Sequence, residues 1–233
     1  MSVTKPAVVL VNLGTPDAPT TAAVRRYLKQ FLSDPRVVEA PRLIWFWVLR
    51  LIILPLRPRR VAKLYASIWQ QDSPIRLVAQ QQAEALAGRF DCTVRYAMSY
   101  GSPGFEAVLD ELADQGHDHL LILPLYPQYS GSTNGAVADA LARWVRTRRE
   151  VPGLTLVKDY WQNPAWLDAV ADSIRRFREQ HGAAEKLLFS FHGIPVSYQD
   201  KGDHYGEPCH HSAALIAERL GLRAEQWMVT FQS

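Results

Sequence analysis

The residue best placed to do chemistry is a histidine that closes an apolar run. In Leu188-Phe-Ser-Phe-His-Gly-Ile-Pro195 the glycine and proline after His192 forbid any continuation of regular structure. That is how a buried parallel strand ends at a cleft, with its last side chain presented to a ligand. A neutral imidazole there can accept a proton or ligate a metal. The ordinary alternative is a strand-end histidine satisfied by a neighbouring carbonyl. Two more stretches have the same character: Leu121-Ile-Leu-Pro-Leu-Tyr-Pro-Gln-Tyr-Ser130 and Val8-Val-Leu-Val-Asn-Leu-Gly-Thr-Pro16. Three hydrophobic strands running into polar and aromatic loops form the arrangement in which open α/β sheets place ligands.

The elements that must position these loops alternate along the chain. Strands are expected at 7–13, 92–98, 119–125, 154–159, 186–191 and 226–231. Helices are expected after Thr20 or Thr21, at 75–88, from Ser102-Pro103, at 135–149, from Asn163-Pro164 and at 208–220. Val24, Leu28, Phe31 and Leu32, joined by Tyr27, share one helix face. Phe105, Val108, Leu109 and Leu112 share another, as do Val137, Leu141, Trp144 and Val145, and Leu167, Val170, Ile174 and Phe177. This alternation implies parallel sheets with helices on both faces, and hence strands that are apolar throughout. The final strand has no helix after it, so either another element caps that sheet face or the chain is incomplete.

The 233 residues suffice for one large domain or two small ones, and 48% hydrophobic with 21% charged is a globular composition. A net charge of +3, with basic clusters at Arg57, Arg59, Arg60, Lys63 and at Arg143, Arg146, Arg148, Arg149, lacks the broad stripe and base-reading groups of a nucleic-acid binder. Cys92 and Cys209 lie far apart and in no C-x-x-C pair, which fits a reducing compartment. With no signal peptide at the start, the cytoplasm is the expected location. Leu43-Ile-Trp-Phe-Trp-Val-Leu-Arg-Leu-Ile-Ile-Leu-Pro-Leu56 is too short to span a bilayer, which needs about 20 apolar residues. It reads either as a buried core helix or as a lip that meets a membrane surface or covers an apolar ligand. The dinucleotide fingerprint, the Walker phosphate loop and the nucleophile elbow do not occur. Gly131-Ser-Thr-Asn-Gly135 offers backbone amides to an anion at a helix start, although a flexible turn plus N-cap is the commoner meaning of such a pentapeptide.

Taken in order, Val11-Asn-Leu-Gly-Thr-Pro16, Ser73-Pro74, Tyr96-Ala-Met-Ser-Tyr-Gly101, Leu123 to Ser130, Phe189 to Pro195 and Gly202-Asp203 closely resemble ferrochelatase. That family inserts ferrous iron into a porphyrin. The resemblance runs from Val8 to Ser233 and implies an α/β fold of two Rossmann-like halves with a porphyrin cleft between them, overhung by the lip. The halves are expected at 1–133, with the lip at 41–60, and at 134–233.

The family's metal-site histidine falls on His192, which is therefore expected to be both the catalytic residue and the metal contact. Its role as proton acceptor or iron ligand stays open. Tyr126, Tyr129, Met98 and Leu13 are expected as porphyrin walls, with ordinary packing as the alternative. Ser130 and Thr133 would orient a propionate or an amide dipole, and Thr15 joins this binding set through its motif. Ferrous iron enters as substrate, no prosthetic group is implied, and an iron–sulfur cluster is not expected. The family's partner glutamate belongs to a segment beyond residue 233, so the chain alone is expected to be poorly stable or inactive. Ser99 stands where relatives often carry arginine, which puts one porphyrin-carboxylate contact in doubt. His204, Cys209, His210 and His211 lack the spacing of a tetrahedral zinc site. The tryptophan-rich lip favours protoporphyrin over coproporphyrin and implies peripheral contact with the inner membrane face. A non-catalytic porphyrin binder and a membrane-surface scaffold are the alternatives from other classes.

Overall fold

The computed structural model describes residues 6–232; residues 1–5, part of the polar opening stretch, and Ser233 lie outside that range. The chain forms two compact units, Met1–Tyr126 with Gly131–Lys158, and Pro127–Ser130 with Asp159–Ser233.

In the first unit, β1 (Ala7–Thr15) is the central strand of a wholly parallel sheet. It pairs with β2 (Thr93–Gly101) on one side and β3 (His119–Pro124) on the other, and β4 (Gly153–Leu156) pairs with β3. The helices are α1 (Thr21–Leu32), α2 (Arg42–Val48), α3 (Leu54–Ile68), α4 (Pro74–Ala87), α5 (Phe105–Asp114) and α6 (Asn134–Thr147). Val9 and Val11 of β1 bury one sheet face against Phe105, Leu109 and Leu112 of α5 and Val137, Leu141 and Trp144 of α6. Leu10, between them, packs on the opposite face with Val94 of β2 and Ala83 of α4. Burial on both faces explains why β1 reads as an unbroken apolar run. Each fully buried leucine or isoleucine here contributes about 1.5–3 kcal/mol of transfer free energy.

Two expectations are corrected in this unit. The boundary at 133/134 moves to 158/159, because α6 packs on the first sheet and the strand expected at 154–159 is β4, paired with β3. The helix expected from Ser102-Pro103 starts instead at Phe105. The Met98 amide donates to the Pro103 carbonyl (2.7 Å), and Gly104 bridges to Met98, which holds this stretch extended beside β2.

The lip is helical but not buried. Leu43 is 75% exposed, Leu51 65% and Leu56 69%, which rules out a core helix within this unit. Between α2 and α3, residues Leu49–Ile53 form a π turn. Leu49 and Leu54 are five residues apart and would lie about 140° apart around an α-helix. The i→i+5 bond from the Leu54 amide to the Leu49 carbonyl instead turns both inward, and both are buried. Arg50, Leu51 and Ile52 are left facing water.

The second unit holds α7 (Pro164–His181), β5 (Leu187–His192), α8 (Val196–Asp200), α9 (Gly206–Arg219) and β6 (Trp227–Gln232), with β5 and β6 parallel. Asn163 caps α7, its Oδ1 accepting from the amides of Ala165 (3.0 Å) and Trp166 (3.3 Å). Leu167 and Ala171 of α7 and Ile216 of α9 form a core against which Phe189 of β5 packs. Burial therefore alternates along β5: Leu187, Phe189 and Phe191 are half-buried, while Leu188, Ser190 and His192 are exposed. The expectation of two-sided burial fails for this strand, since an apolar composition does not reveal that helices cover one face only. Phe177, expected inward on α7, is also exposed and stacks on His181 with ring centroids 4.2 Å apart.

Candidate functional site

His192 is the last residue of β5 and pairs with Gln232 of β6. The Gly193 amide donates to the Gln232 carbonyl (2.7 Å), so the strand ladder extends one residue past the histidine and holds its backbone firmly. The imidazole is exposed, and its Nδ1 lies 2.8 Å from the Gly193 carbonyl oxygen. A carbonyl only accepts, so the proton belongs on Nδ1, and Nε2 is left as an outward-facing lone pair. The arrangement is that of a base with its tautomer selected by its own loop. No carboxylate among the described residues hydrogen-bonds to this ring.

Beyond the strand end lies a cavity of about 430 Å³ whose walls include Gly193, Ile194, Tyr205, Glu207, His210 and Phe231; His192 itself is not in its wall. Ser130, expected to face a ligand, donates to Asp203 Oδ2 (2.9 Å), and Asp203 Oδ1 accepts from the Tyr205 amide (3.2 Å). The Gly202-Asp203 motif thus pins its own loop to Ser130. Gln128 donates to Ser212 (2.8 Å) and fastens the same segment to α9, with Tyr129 half-buried between Gln128 and Ser130. His210 and His211 turn to different neighbours, the rings of Phe231 and Trp161, while Cys209 is fully buried.

Burial pushes the Cys209 thiol up to about 11, only partly opposed by its hydrogen bond with Tyr205. Its thiolate is therefore much scarcer at neutral pH than that of an ordinary thiol. In native protein at pH 8, iodoacetamide is expected to modify Cys92, which is half-buried, at least tenfold faster than Cys209, as read by peptide mass mapping.

The first unit gathers its site residues at the carboxyl ends of β1, β2 and β3. Leu13 is half-exposed there, as are Tyr126 and Thr133 in the segments after β3. Thr15 and Met98 are fully buried. The Thr15 hydroxyl donates to Ser73 (2.8 Å), tying β1 to the start of α4, and Met98 is a core residue whose amide holds the Pro103 carbonyl. Thr133 donates to Asn134 Oδ1 (3.0 Å). Asn134 in turn donates to the Lys158 carbonyl (2.8 Å) and fixes the start of α6 against the end of β4.

Sequence reasoning missed the residue that organises these loops. Arg76 makes a close pair with Asp72 (2.6 Å) and donates to the carbonyls of Pro16 (3.2 Å) and Ser102 (3.1 Å), so one guanidinium joins the ends of β1 and β2. Burial alone would raise the Asp72 carboxyl; the bonds from Arg76 and from the Ser73 amide outweigh it and hold the group below the usual carboxylate range. Tyr100 donates to Asp34 (2.8 Å), anchoring the loop after α1 to β2. Ser99 Oγ is buried with no hydrogen-bond partner among the described residues, a polar atom on β2 close to the site residues of that strand.

A family model described as Ferrochelatase matches residues 5–233. Proteins named ferrochelatase from Psychrobacter sp. (strain PRwf-1) and Acinetobacter baumannii (strain ACICU) are 53% and 50% identical to the chain, and each alignment covers 97–98% of it. The same alignments cover 69% and 70% of those relatives' own lengths. Acinetobacter baylyi contributes a further ferrochelatase at 47% identity.

Proposed function

The chain belongs to the ferrochelatase family, metal chelatases of the lyase class that serve haem biosynthesis, and on that premise we propose that it inserts ferrous iron into protoporphyrin with His192 as the proton acceptor. The observation that carries this reading is the fixed tautomer of an exposed imidazole. Insertion replaces two pyrrole N–H protons by one divalent ion, so two protons must leave the macrocycle. Nε2 of His192 is free to take them one at a time, and the Gly193 carbonyl that accepts from Nδ1 also stabilises the imidazolium formed after each transfer. Leu13 and Tyr126 offer apolar and aromatic surface on the first unit, and Tyr129 offers aromatic surface on the second.

The exposed lip supports protoporphyrin over coproporphyrin, because an apolar helix matches the substrate with fewer carboxylates. Anaerobic iron insertion, followed as loss of porphyrin fluorescence, tests both statements. Where the chain turns over, a higher kcat/KM for protoporphyrin than for coproporphyrin is expected; the reverse preference would overturn the substrate assignment.

A second reading is favoured because no carboxylate among the described residues hydrogen-bonds to His192: the chain would bind the porphyrin without metallating it. A Soret titration that saturates while the iron assay stays silent is the signature of that case.

The same lip would seat the protein on a membrane surface. Among the described residues no helix is long and apolar enough to cross a bilayer, so contact would be peripheral. Trp45 is half-buried and its indole donates to the Leu32 carbonyl (2.6 Å), which makes it an anchor of the fold. Trp47 and Leu51 are among the exposed side chains of the lip. Their joint replacement by serine is expected to lower vesicle binding in a flotation assay by at least tenfold, since each apolar side chain fully inserted is worth about 1.5–3 kcal/mol.

A further inference from the structure

The exposed apolar lip has a basic pocket at its edge. A cavity of about 280 Å³ is lined by Arg25 and Lys29 of α1, Arg50 of the π turn, and Leu54 and Pro55 of α3. Arg25 and Lys29 are four residues apart on one helix, where like charges repel by a few tenths of a kilocalorie. Nothing nearby relieves them: among the described residues none of the three cations is paired with a carboxylate. The Arg25 Nε donates to the Leu54 carbonyl (3.1 Å), which fixes the guanidinium and leaves its Nη groups without a hydrogen bond among the described residues. Arg50 is steadied from the other side, its guanidinium carbon 4.1 Å from the centre of the Phe46 ring. Two of the three cations are thus held in place around a concave space, with Leu51, Ile52 and Leu56 exposed in the same segment.

We propose that this pocket binds the phosphate of an anionic phospholipid headgroup, while the neighbouring lip residues enter the acyl region. The proposal rests on the peripheral membrane contact inferred above and adds a lipid preference to it. Charge complementarity selects the occupant. Several fixed cations beside exposed hydrocarbon suit a group that is anionic at one end and apolar at the other, and the π turn is what brings Arg50 to the rim next to those side chains.

The test is vesicle cosedimentation with phosphatidylcholine alone and with phosphatidylcholine mixed with phosphatidylglycerol. The native chain is expected to bind the mixed vesicles more tightly. Lys29→Gln with Arg50→Gln should remove about fivefold of that affinity per charge and leave binding to phosphatidylcholine unchanged. Lys29→Gln alone, on an exposed helix face, should show half of the effect on the logarithmic scale and controls for any disturbance of the π turn. Trp47→Ser with Leu51→Ser should weaken binding to both vesicle types. A native chain that binds phosphatidylcholine but is indifferent to phosphatidylglycerol overturns the pocket and spares the lip; a chain that binds neither overturns both. A double charge variant that keeps its phosphatidylglycerol preference, or loses affinity for inorganic phosphate only, also overturns the proposal. So does one that instead raises the porphyrin KM without vesicles, which would assign the cations to propionates.

Discussion

His192→Ala is expected to lower the rate of iron insertion by about 10³-fold, within the range typical of a general base, while the porphyrin dissociation constant changes by less than about threefold. The two readouts separate because the residues that would bind the macrocycle and the residue that would take its protons are different groups. Leu13 and Tyr126 stand on the first unit, and the imidazole stands at the end of β5 in the second. The substitution should also leave folding intact, since the ring is exposed and its bond is to the adjacent carbonyl. His192→Gln is the informative companion. Its amide can reproduce the donor to Gly193 but has no basic nitrogen, so it should be as inactive as alanine if proton transfer is the role. Equal loss of porphyrin binding in both variants would make His192 a binding residue and remove the basis for proton transfer. A wild-type chain that binds porphyrin without turnover would instead support the binder reading.

How much of this arrangement was legible in the sequence depends on how local its cause is. The end of β5 at His192 was readable because His-Gly-Ile-Pro stops a strand within four residues. The inward face of α5 was readable because Phe105, Val108, Leu109 and Leu112 follow helical spacing, and all four are buried. The cap at Asn163 is a contact over two and three residues. What escaped was determined at a distance. The Thr15–Ser73 bond spans 58 residues and the Ser130–Asp203 bond spans 73, and no pattern within either motif names its partner. Hence two hydroxyls that looked ready for a ligand turned out to be engaged with the protein itself. Arg76 escaped for the same reason: in sequence it is one cation among many, and only the fold brings the loops after β1 and β2 to it. The allegiance of β4 was missed because a short apolar strand carries no label for its sheet. The lip was ambiguous for a physical reason as well, since composition measures apolarity and exposure depends on what packs against it.

Gly14→Ala is expected to be the most damaging single change outside the histidine, costing roughly 3–5 kcal/mol of stability. Two separate effects add at this position. The backbone has φ of +114°, a conformation that side chains with a Cβ resist, and a Cβ built there would run into the Tyr100 carbonyl oxygen. Gly101, with φ of +93°, stands in the reciprocal position against the Thr15 carbonyl, so β1 and β2 touch backbone to backbone where both strands end. Neither atom of this contact is the far end of a flexible side chain, so relief requires the strands to part. Gly116→Ala separates the two effects: φ there is +84°, but nothing lies within 4 Å of the added carbon. It should cost only about 1 kcal/mol, the conformational part alone. Urea unfolding followed by tryptophan fluorescence gives both numbers, and the excess for Gly14 is the steric part. Parting β1 from β2 would also displace Leu13 next to it, so any Gly14→Ala protein that remains folded should bind porphyrin at least tenfold more weakly, whereas Gly116→Ala should bind normally. Equal costs for the two glycines would mean that the strand ends yield freely, and the close backbone contact would then have no part in holding the binding surface.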